Sequence, residues 1–243
     1  MNLHLQGLRA VVTGGSAGIG AAIVQVLAEE ACDVFFCARD GNRNADVVKS
    51  SLGLPGKVEA TALDVTNNKA VEDWMAGIGA FDIFVPNVSA LSPDWASAIA
   101  VDIQATVNAS ETAVPYLLKS KHGALTYIGS KAGSVAAPYS AAYGAGKAAM
   151  AHYMKSLATR LLPHVRVNTV SPGDTLIEGG IWSKVRDHEP EAYAKVLSRN
   201  PMNRLATAQE IARVVAFVSS PAASFVAGAN WYVDGGSISH VQL

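Results

Sequence analysis

The chain has 243 residues, of which 50% are apolar and only 16% are charged, so it can bury a sizeable core and is too apolar to remain disordered. Lys and Arg number 19 and Asp and Glu number 20, and this balance provides no electrostatic attraction to nucleic acid or to an anionic membrane. The amino-terminal segment MNLHLQGLRA has no cationic region followed by an apolar run, and no apolar run approaches about 18 residues. We therefore expect a cytoplasmic globular protein without a secretory signal or a membrane span.

Short apolar segments rich in β-branched residues recur along the chain and predict seven strands. Their residues are mostly apolar throughout rather than alternating, which is typical of strands covered on both faces. The predicted strands span residues 8–13, 33–38, 57–63, 81–86, 124–130, 165–171 and 230–235.

Helical patterns lie between these strands. Residues 18–30 follow the first strand, residues 66–78 follow the third, and apolar residues recur at helical spacing from Met150 to Leu161. Thr207 with Glu210, three positions on, predicts a capping box that opens the last helix.

Alternating strands and helices predict an α/β fold, with a doubly wound parallel sheet of about seven strands and helices on both faces. No linker, repeat or low-complexity segment divides the sequence. We therefore expect residues 1–243 to form a single domain.

The cysteines and histidines give no sign of a disulfide or a metal site. Cys32 and Cys37 lie in or beside an apolar segment, which favours buried free thiols. The six histidines lack ligand spacing such as HExxH, so we expect no metal; they are His4, His122, His152, His164, His188 and His240.

A glycine-rich turn follows the first predicted strand directly. The sequence TGGSAGIG, residues 13–20, has the spacing G-x-x-x-G-x-G and opens a helix. Such a turn lets phosphate groups reach backbone N–H groups at the helix N-terminus, although glycines also occur wherever a strand closely meets a helix. Its position after the first strand favours dinucleotide binding. The predicted contacts are Gly14, Ser16, Gly18, Ile19 and Gly20.

The end of the second strand points to the identity of the nucleotide. A carboxylate there binds the ribose 2′-hydroxyl of NAD, whereas an arginine pairs with the 2′-phosphate of NADP. The sequence is Ala38-Arg39-Asp40, which places alanine at the carboxylate position and arginine next to it. We therefore predict NADP. An alignment shifted by two residues would instead place Asp40 at the carboxylate position and favour NAD. The alternative interpretation of Arg39 is an ordinary solvated loop residue.

Tyr143 and Lys147 stand four residues apart in SAAYGAGK, among alanines and glycines. Residues four apart share a helix face, and the small neighbours leave room for a flat ligand. A phenol has a pKa of about 10, poorly matched to neutral pH, and a nearby ammonium group would favour the tyrosinate and lower that pKa. An ordinary surface pair is the alternative interpretation.

Taken in order, these motifs resemble the short-chain dehydrogenase/reductase family. The resemblance rests on TGGSAGIG, on a serine 13 residues before the tyrosine, on YGAGK and on SPG after the sixth strand. The tail from residue 201 to the closing VDGG is also similar, so the resemblance covers residues 5–236. It implies a Rossmann fold and hydride transfer between a nicotinamide and a carbonyl or secondary alcohol.

The resemblance also implies roles for individual residues. Tyr143 is the general acid, Lys147 lowers its pKa and holds the nicotinamide ribose, and Ser130 donates a hydrogen bond to the substrate oxygen. Further cofactor contacts that the resemblance implies are Asp64 and Val65 at the adenine, Asn87 after the fourth strand, and Pro172, Gly173 and Thr175 at the nicotinamide.

Two positions depart from the family pattern. Pro86-Asn87-Val88-Ser89 replaces the usual Asn-Asn-Ala-Gly, and the proline removes a backbone donor. Asp102 stands where a catalytic asparagine is usual, and we expect its charge to oppose ionisation of Tyr143. These departures leave open an NADP-binding sensor or scaffold with weak or no catalysis. An epimerase or dehydratase, which would leave no net change in NADPH, is a third hypothesis.

Residues 174–200 occupy the place of the family's variable substrate lid, and Gly179 and Gly180 would permit hinging there. Apolar side chains favour a hydrophobic or β-keto substrate over a small charged one; they are Leu176, Ile177, Ile181 and Trp182. The resemblance further implies a homotetramer or homodimer formed through the fifth and sixth helices. Candidate interface residues there are Thr112, Val114, Leu117, Met150 and Leu157.

Overall fold

The computed structural model describes residues 1–239 and 241, so His240 lies outside the described residues. The strands, in chain order, are β1 Arg9–Thr13, β2 Asp33–Ala38, β3 Val58–Ala62, β4 Ile83–Pro86, β5 Ala124–Ile128, β6 Arg166–Pro172, β7 Thr175–Leu176, β8 Ala206–Thr207 and β9 Asn230–Val233. The helices are α1 Gly18–Glu29, α2 Gly41–Ser50, α3 Asn68–Ile78, α4 Trp95–Ser97, a π-helical segment Ala98–Ala105, α5 Thr106–Leu117, α6 Ala141–Leu161, α7 Ile181–His188, α8 Pro190–Ser198 and α9 Ala208–Ser219.

Seven of the strands form one parallel sheet in the order β3-β2-β1-β4-β5-β6-β9. The strand order reverses between β1 and β4, which is where open α/β sheets form a crevice at the carboxyl ends of their strands. The sequence therefore predicted the fold class and the seven sheet strands correctly. The short strands β7 and β8 form a separate parallel pair that joins the segment after β6 to the start of α9.

The strands are apolar on both faces because helices cover both. In β1, Ala10 and Val12 belong to the core on one side of the sheet, and Val11 belongs to the core on the other side. Successive strand residues point to opposite faces, so each strand supplies both cores. Helices α1, α2 and α9 cover the first core, and α3, α5 and α6 cover the second.

Local sequence signals determine where several helices begin. Thr207 and Glu210 form the predicted capping box at the start of α9. Asn67 accepts a hydrogen bond from the N–H of Ala70 and opens α3, and Asp40 caps α2 in the same way. The sequence did not predict α2, since its GNRNADVVKS segment is polar and buries only Asn44.

The candidate interface residues must be corrected. Val114, Leu117, Met150 and Leu157 lie in the core beneath α5 and α6, each at most 9% exposed, so they pack within this chain. Their apolar character reflects the second core of the sheet, which periodicity alone cannot distinguish from an interface. Of the predicted set, Thr112 is the residue that remains half-buried.

Three further features concern the cysteines, possible metal ligands and long apolar helices. Cys32 and Cys37 are buried and carry free thiols. Within residues 1–239 and 241, no three His, Cys, Asp or Glu side chains come together in a way that would hold a metal ion. No helix in that part of the chain is both long and apolar enough to cross a membrane.

Candidate active site

A cavity of about 700 Å³ opens at the carboxyl ends of the sheet strands. Its wall contains every site residue predicted from the sequence except Asp102. These are Gly14, Ser16, Gly18, Ile19, Gly20, Arg39, Asp64, Val65, Asn87, Ser130, Tyr143, Lys147, Pro172, Gly173 and Thr175.

The glycine turn is held tightly between β1 and α1. The N–H of Gly14 donates to the carbonyl of Cys37 at 2.7 Å, and Gly14 has a φ of 74°, which favours glycine. A Cβ on Gly20 would lie 2.0 Å from the carbonyl oxygen of Gly14, so no side chain fits there. The turn therefore exposes backbone rather than side chains to the cavity.

Asn87 fixes this turn from the neighbouring strand. Its side-chain amide donates to the carbonyls of Thr13 and Gly14 at 3.1 and 3.0 Å, and its backbone N–H donates to the Thr13 hydroxyl at 3.0 Å. Asn87 thus braces the loop that follows β1, in addition to lining the cavity. Pro86, the departure before it, ends β4 opposite Thr13.

The cavity end beside β2 carries two arginines. Arg39 and Arg43 both line it, and sequence analysis missed Arg43. The Asp40 carboxylate accepts from the N–H groups of Asn42 and Arg43 at 3.0 and 3.2 Å and lies 3.3 Å from the Arg43 guanidinium. Asp40 is therefore engaged as the cap of α2. The only signal for Arg43 in the sequence was its position three residues after this aspartate, the spacing of an ion pair on one helix face.

Asp64 stands in the same part of the wall. Hydrogen bonds from Thr66 lower the pKa of Asp64, burial opposes them, and the charge of Arg39 lowers it further. Asp64 is thus a carboxylate at neutral pH. The Arg39 guanidinium lies near enough to act on it electrostatically.

Ser130 follows β5 and caps the short 3₁₀ turn Lys131–Gly133. Its hydroxyl oxygen accepts from the N–H of Ala132 at 3.1 Å, which leaves the hydroxyl proton free to donate. The next residue, Lys131, pairs with Asp174 at 2.6 Å. The catalytic serine predicted from the sequence therefore sits on a loop fastened to the segment after β6.

Tyr143 lies in the first turn of α6, where it is half-buried. Burial raises its pKa above the ordinary value, hydrogen bonding with Ser130 opposes this, and the charge of Asp102 raises the pKa further. The sequence argument counted only the charge of Lys147 and expected a lowered pKa, whereas burial makes the net direction upward. Tyr143 is consequently a protonated phenol at neutral pH.

Lys147 is 3% exposed and lies one helical turn beyond Tyr143. Its ammonium donates to the carbonyl of Ile128 at 2.9 Å and stands 5.6 Å from the Tyr143 ring centroid. Burial lowers the pKa of Lys147 to about 8, and the charge of Asp102 acts in the opposite direction. Lys147 therefore changes charge only a little above neutral pH.

Asp102 lies behind this pair, in the π-helical segment, and is 0% exposed. Neither of its carboxylate oxygens has a hydrogen-bond partner among the described residues. A Cβ on Gly146 would lie 3.5 Å from the Cβ of Asp102, so α6 packs directly against the segment. Single-turn π-helical distortions are frequent at functional sites.

Tyr127 of β5 is a further neighbour that sequence analysis missed. Its ring centroid lies 5.0 Å from the Lys147 ammonium, and its buried hydroxyl has no partner in the described part of the chain. Burial raises the pKa of Tyr127, and the charge of Asp102 raises it further. Nothing in the apolar segment ALTYI distinguished this tyrosine from an ordinary core residue.

The rest of the wall comes from two loops and the segment 174–200. Of the apolar lid residues predicted from the sequence, Ile177, Ile181 and Trp182 line the cavity, whereas Leu176 pairs with Thr207 in the β7–β8 ladder. Ser89, one of the departures noted in the sequence, also lines the cavity, and further wall residues that the sequence did not reveal are Ala90, Leu91, Ser92, Ser97 and Val101.

Residues 14–237 match the protein family adh_short_C2, described as enoyl-(acyl carrier protein) reductase. This chain belongs to the short-chain dehydrogenase/reductase family. It is 34% identical to isoepoxydon dehydrogenase patN of Penicillium expansum, over 96% of this chain and 95% of that protein. It is 30% identical to the 3-oxoacyl-[acyl-carrier-protein] reductase FabG of Thermotoga maritima, over 97% and 100% of the two chains.

A solved structure shares the whole fold. L-sorbose reductase from Gluconobacter frateurii, complexed with NADPH and L-sorbose, superposes with a TM-score of 0.92 at 26% identity, covering 99% of this chain and 100% of that one. This short-chain dehydrogenase/reductase is accordingly an oxidoreductase that acts on CH–OH or C=O groups.

Proposed function

We propose that this protein is an NADP(H)-dependent oxidoreductase that transfers a hydride between the nicotinamide and the carbonyl or secondary alcohol of a hydrophobic or β-keto substrate. The observation that carries this proposal is that Ser130, Tyr143 and Lys147 line the same cavity as the glycine turn and Arg39. A proton donor, a cation and a phosphate-binding turn thus face one space.

The residues of the cavity fit a dinucleotide. The turn at Gly14 and Gly20 leaves bare backbone at the N-terminus of α1, where phosphate groups bind favourably. Arg39 and Arg43 supply positive charge at the other side of the wall. The groups that would hold the cofactor are therefore the glycine turn, the two arginines, Asp64 with Val65, Asn87, Lys147, and the segment from Pro172 to Thr175.

In reduction, the bound nicotinamide supplies the hydride. The Tyr143 hydroxyl donates its proton to the carbonyl oxygen, and Ser130 donates a hydrogen bond to the same oxygen as negative charge develops there. The Lys147 ammonium stabilises the tyrosinate that remains. A raised Tyr143 pKa suits this direction because the phenol stays protonated at neutral pH.

The charges beside β2 favour NADP over NAD. Asp40 is occupied by the first turn of α2, so its carboxylate is a poor partner for a ribose 2′-hydroxyl. Arg39 has its guanidinium exposed at the cavity, and a guanidinium pairs well with a phosphate. L-sorbose reductase is named in complex with NADPH, which supports the same choice.

A cytoplasmic location and a homotetrameric or homodimeric assembly form part of the proposal and rest on the family alone. The alternative of an NADP-binding sensor or scaffold retains the cofactor end of the cavity but makes no use of a protonated Tyr143 beside Ser130. The presence of both groups in one wall favours catalysis.

The decisive experiment follows the near-ultraviolet absorbance of NADPH with the purified protein and a panel of ketones, aldehydes and β-keto esters. We expect oxidation of NADPH with at least one member, and slower oxidation of NADH. NADPH binding without turnover of any member would favour the sensor, and product formation at constant NADPH would favour an epimerase or dehydratase.

A further inference from the structure

The charges around the cavity are distributed unevenly. The end beside β2 contains Arg39, Asp40, Arg43 and Asp64. The opposite wall contains no Lys, Arg, His, Asp or Glu among its described lining residues. We call it the uncharged wall; it consists of Ser89, Ala90, Leu91, Ser92, Ser97, Val101, Ile181 and Trp182.

The uncharged wall adjoins the reacting groups. Val101 precedes Asp102, whose charge acts on both Tyr143 and Lys147. Ile181 and Trp182 begin α7 in the segment that follows Gly173 and Thr175. Tyr143 and this wall line the same cavity, so a substrate whose carbonyl oxygen meets Tyr143 has this wall within the same space for the rest of its body.

Lys147 lines the cavity beside Tyr143, where its ammonium donates to the carbonyl of Ile128, and the other cations near the wall in the chain are paired or lie outside the lining. Lys131, next to Ser130, pairs with Asp174 at 2.6 Å and also donates to Ser237 at 3.3 Å. Arg186 of α7 forms ion pairs with Glu178 and Asp187. Lys184 is exposed and does not belong to the cavity wall.

The polar groups that the wall does offer are hydroxyls. The Ser89 oxygen accepts from the N–H of Leu91 at 3.2 Å, and the Ser92 oxygen accepts from the N–H of Asp94 at 3.1 Å. Each hydroxyl keeps its own proton to donate. Such groups suit a neutral carbonyl, ester or hydroxyl oxygen.

A charged substrate would gain little here. Leu91 and Ile181 leave the rim of the wall open to solvent, at 67% and 64% exposure. A carboxylate or phosphate held against the uncharged wall would therefore lose only part of its hydration, but it would meet no counter-ion in the wall, and an unpaired charge is much more costly to desolvate than a polar group. We infer that this site selects uncharged carbonyl compounds and rejects their carboxylate or phosphate analogues. The inference rests on the proposed function and narrows its substrate class.

Matched pairs of substrates test this inference. The probes are ethyl acetoacetate against acetoacetate, and methyl 4-oxocyclohexanecarboxylate against the free acid, with NADPH at pH 7. We expect kcat/KM for the ester to exceed that for the acid by about tenfold or more, since partial desolvation of an unpaired charge is the difference between them. Equal values within a pair would overturn the inference while leaving the proposed function intact. Turnover of neither ester nor acid, together with none in the wider panel, would overturn both.

A charge introduced into the wall provides an independent test. Leu91 is 67% exposed at the rim of the cavity, so Leu91→Lys should fold, and Leu91→Gln is the uncharged control of similar length. We expect the lysine variant to lower the ester-to-acid ratio about tenfold, as an added counter-ion pairs with the acid. The glutamine variant should leave the ratio unchanged. Equal ratios in the two variants, both with wild-type melting temperatures, would contradict the inference.

Discussion

The two ends of the cavity are built in different ways. The cofactor end is formed by short turns that directly follow β1, β2 and β3, and each turn is a contiguous piece of sequence. The uncharged wall is assembled from the loop after β4, the helical segment near Ser97 and Val101, and the first turn of α7. A contiguous turn carries its own signal in the sequence, whereas an assembled wall becomes visible only once the chain is folded.

The two ends also differ in which groups of a ligand they can bind. Charge and bare backbone at the cofactor end can recognise phosphate groups whatever the substrate is. Hydroxyl and apolar groups at the other end leave the substrate to be selected by shape and by its lack of charge. Tyr143 and Lys147 stand where the two ends meet, so substitutions there and on either side should separate binding from chemistry.

The largest effect is expected where the ends meet. Tyr143→Phe keeps the ring and removes only the proton donor, and loss of a general acid costs about 10²–10⁴-fold in rate. We therefore expect kcat for ketone reduction to fall by about 10³-fold while the Kd for NADPH stays nearly constant. Steady-state kinetics and fluorescence titration of NADPH measure the two quantities.

Tyr139→Phe is the matched control, because Tyr139 precedes α6 and its side chain is 96% exposed. Its kinetics should match those of the wild type. Full turnover in the Tyr143 variant would mean that another group donates the proton, and our assignment of the acid would be wrong.

The second-largest effect is expected at the cofactor end, where a substitution should change cofactor binding and not the chemical step. Arg39→Ala removes charge-assisted contacts to a 2′-phosphate, and such contacts contribute about 1.5–3 kcal/mol. The Kd for NADPH should therefore rise by a factor of tens, and the Kd for NADH should hardly change. Calorimetric titration of both cofactors provides the comparison. Equal weakening of both would show that Arg39 contacts something other than the phosphate.

Arg43→Gln should act in the same direction but more weakly. The Arg43 guanidinium is exposed and already paired with Asp40, so solvent and the carboxylate both screen it. We expect the Kd for NADPH to rise a few-fold. Binding measured at low and high salt should converge for the wild type and the variant, because screening removes the contribution of an exposed charge. A larger increase in the Kd for NADPH than that of Arg39→Ala would mean that Arg43, rather than Arg39, makes the stronger contact to the cofactor.

The sequence predicted the parts that depend on local backbone. The seven strands, the capping box of α9 and the glycine turn all follow from short-range patterns, and the structure contains each of them. Arg43, Ser92 and Ser97 were missed because polar residues in polar segments give no periodic signal. The π-helical segment around Asp102 was missed as well, since its residues read as part of an ordinary helix.

Burial explains the errors about individual residues. Met150 and Leu157 were assigned to an interface because a periodic apolar face looks the same whether it meets a partner chain or the sheet. The pKa of Tyr143 was expected to fall because the argument counted the charge of Lys147 and not the loss of solvent. The partner of an apolar face and the direction of a pKa shift both depend on which side chains lie around a residue, and sequence spacing does not show those neighbours.

The smallest effect at neutral pH, and the most specific, is expected from Asp102→Asn. Asparagine has nearly the same shape, so the buried site behind Lys147 should keep its packing. The charge of Asp102 raises the pKa of Tyr143 and that of Lys147, so its removal lowers both pKa values. Tyr143 then becomes a stronger acid that is still protonated at neutral pH, and it ionises, and so stops donating, at a lower pH than in the wild type. We therefore expect similar or faster reduction at neutral pH, with the alkaline limb of the kcat profile displaced to lower pH.

Oxidation of the alcohol depends on the other protonation state of Tyr143, because tyrosinate is the form that accepts the proton. Its acid limb should also move to lower pH, so oxidation at neutral pH should become faster. A purely structural role for Asp102 would change the melting temperature and leave both limbs in place. A loss of about a hundredfold or more in the folded asparagine variant, on the scale of a missing acid or base, would show that the carboxylate is itself required. The electrostatic account of Asp102, as a charge acting through Tyr143 and Lys147, would then fail.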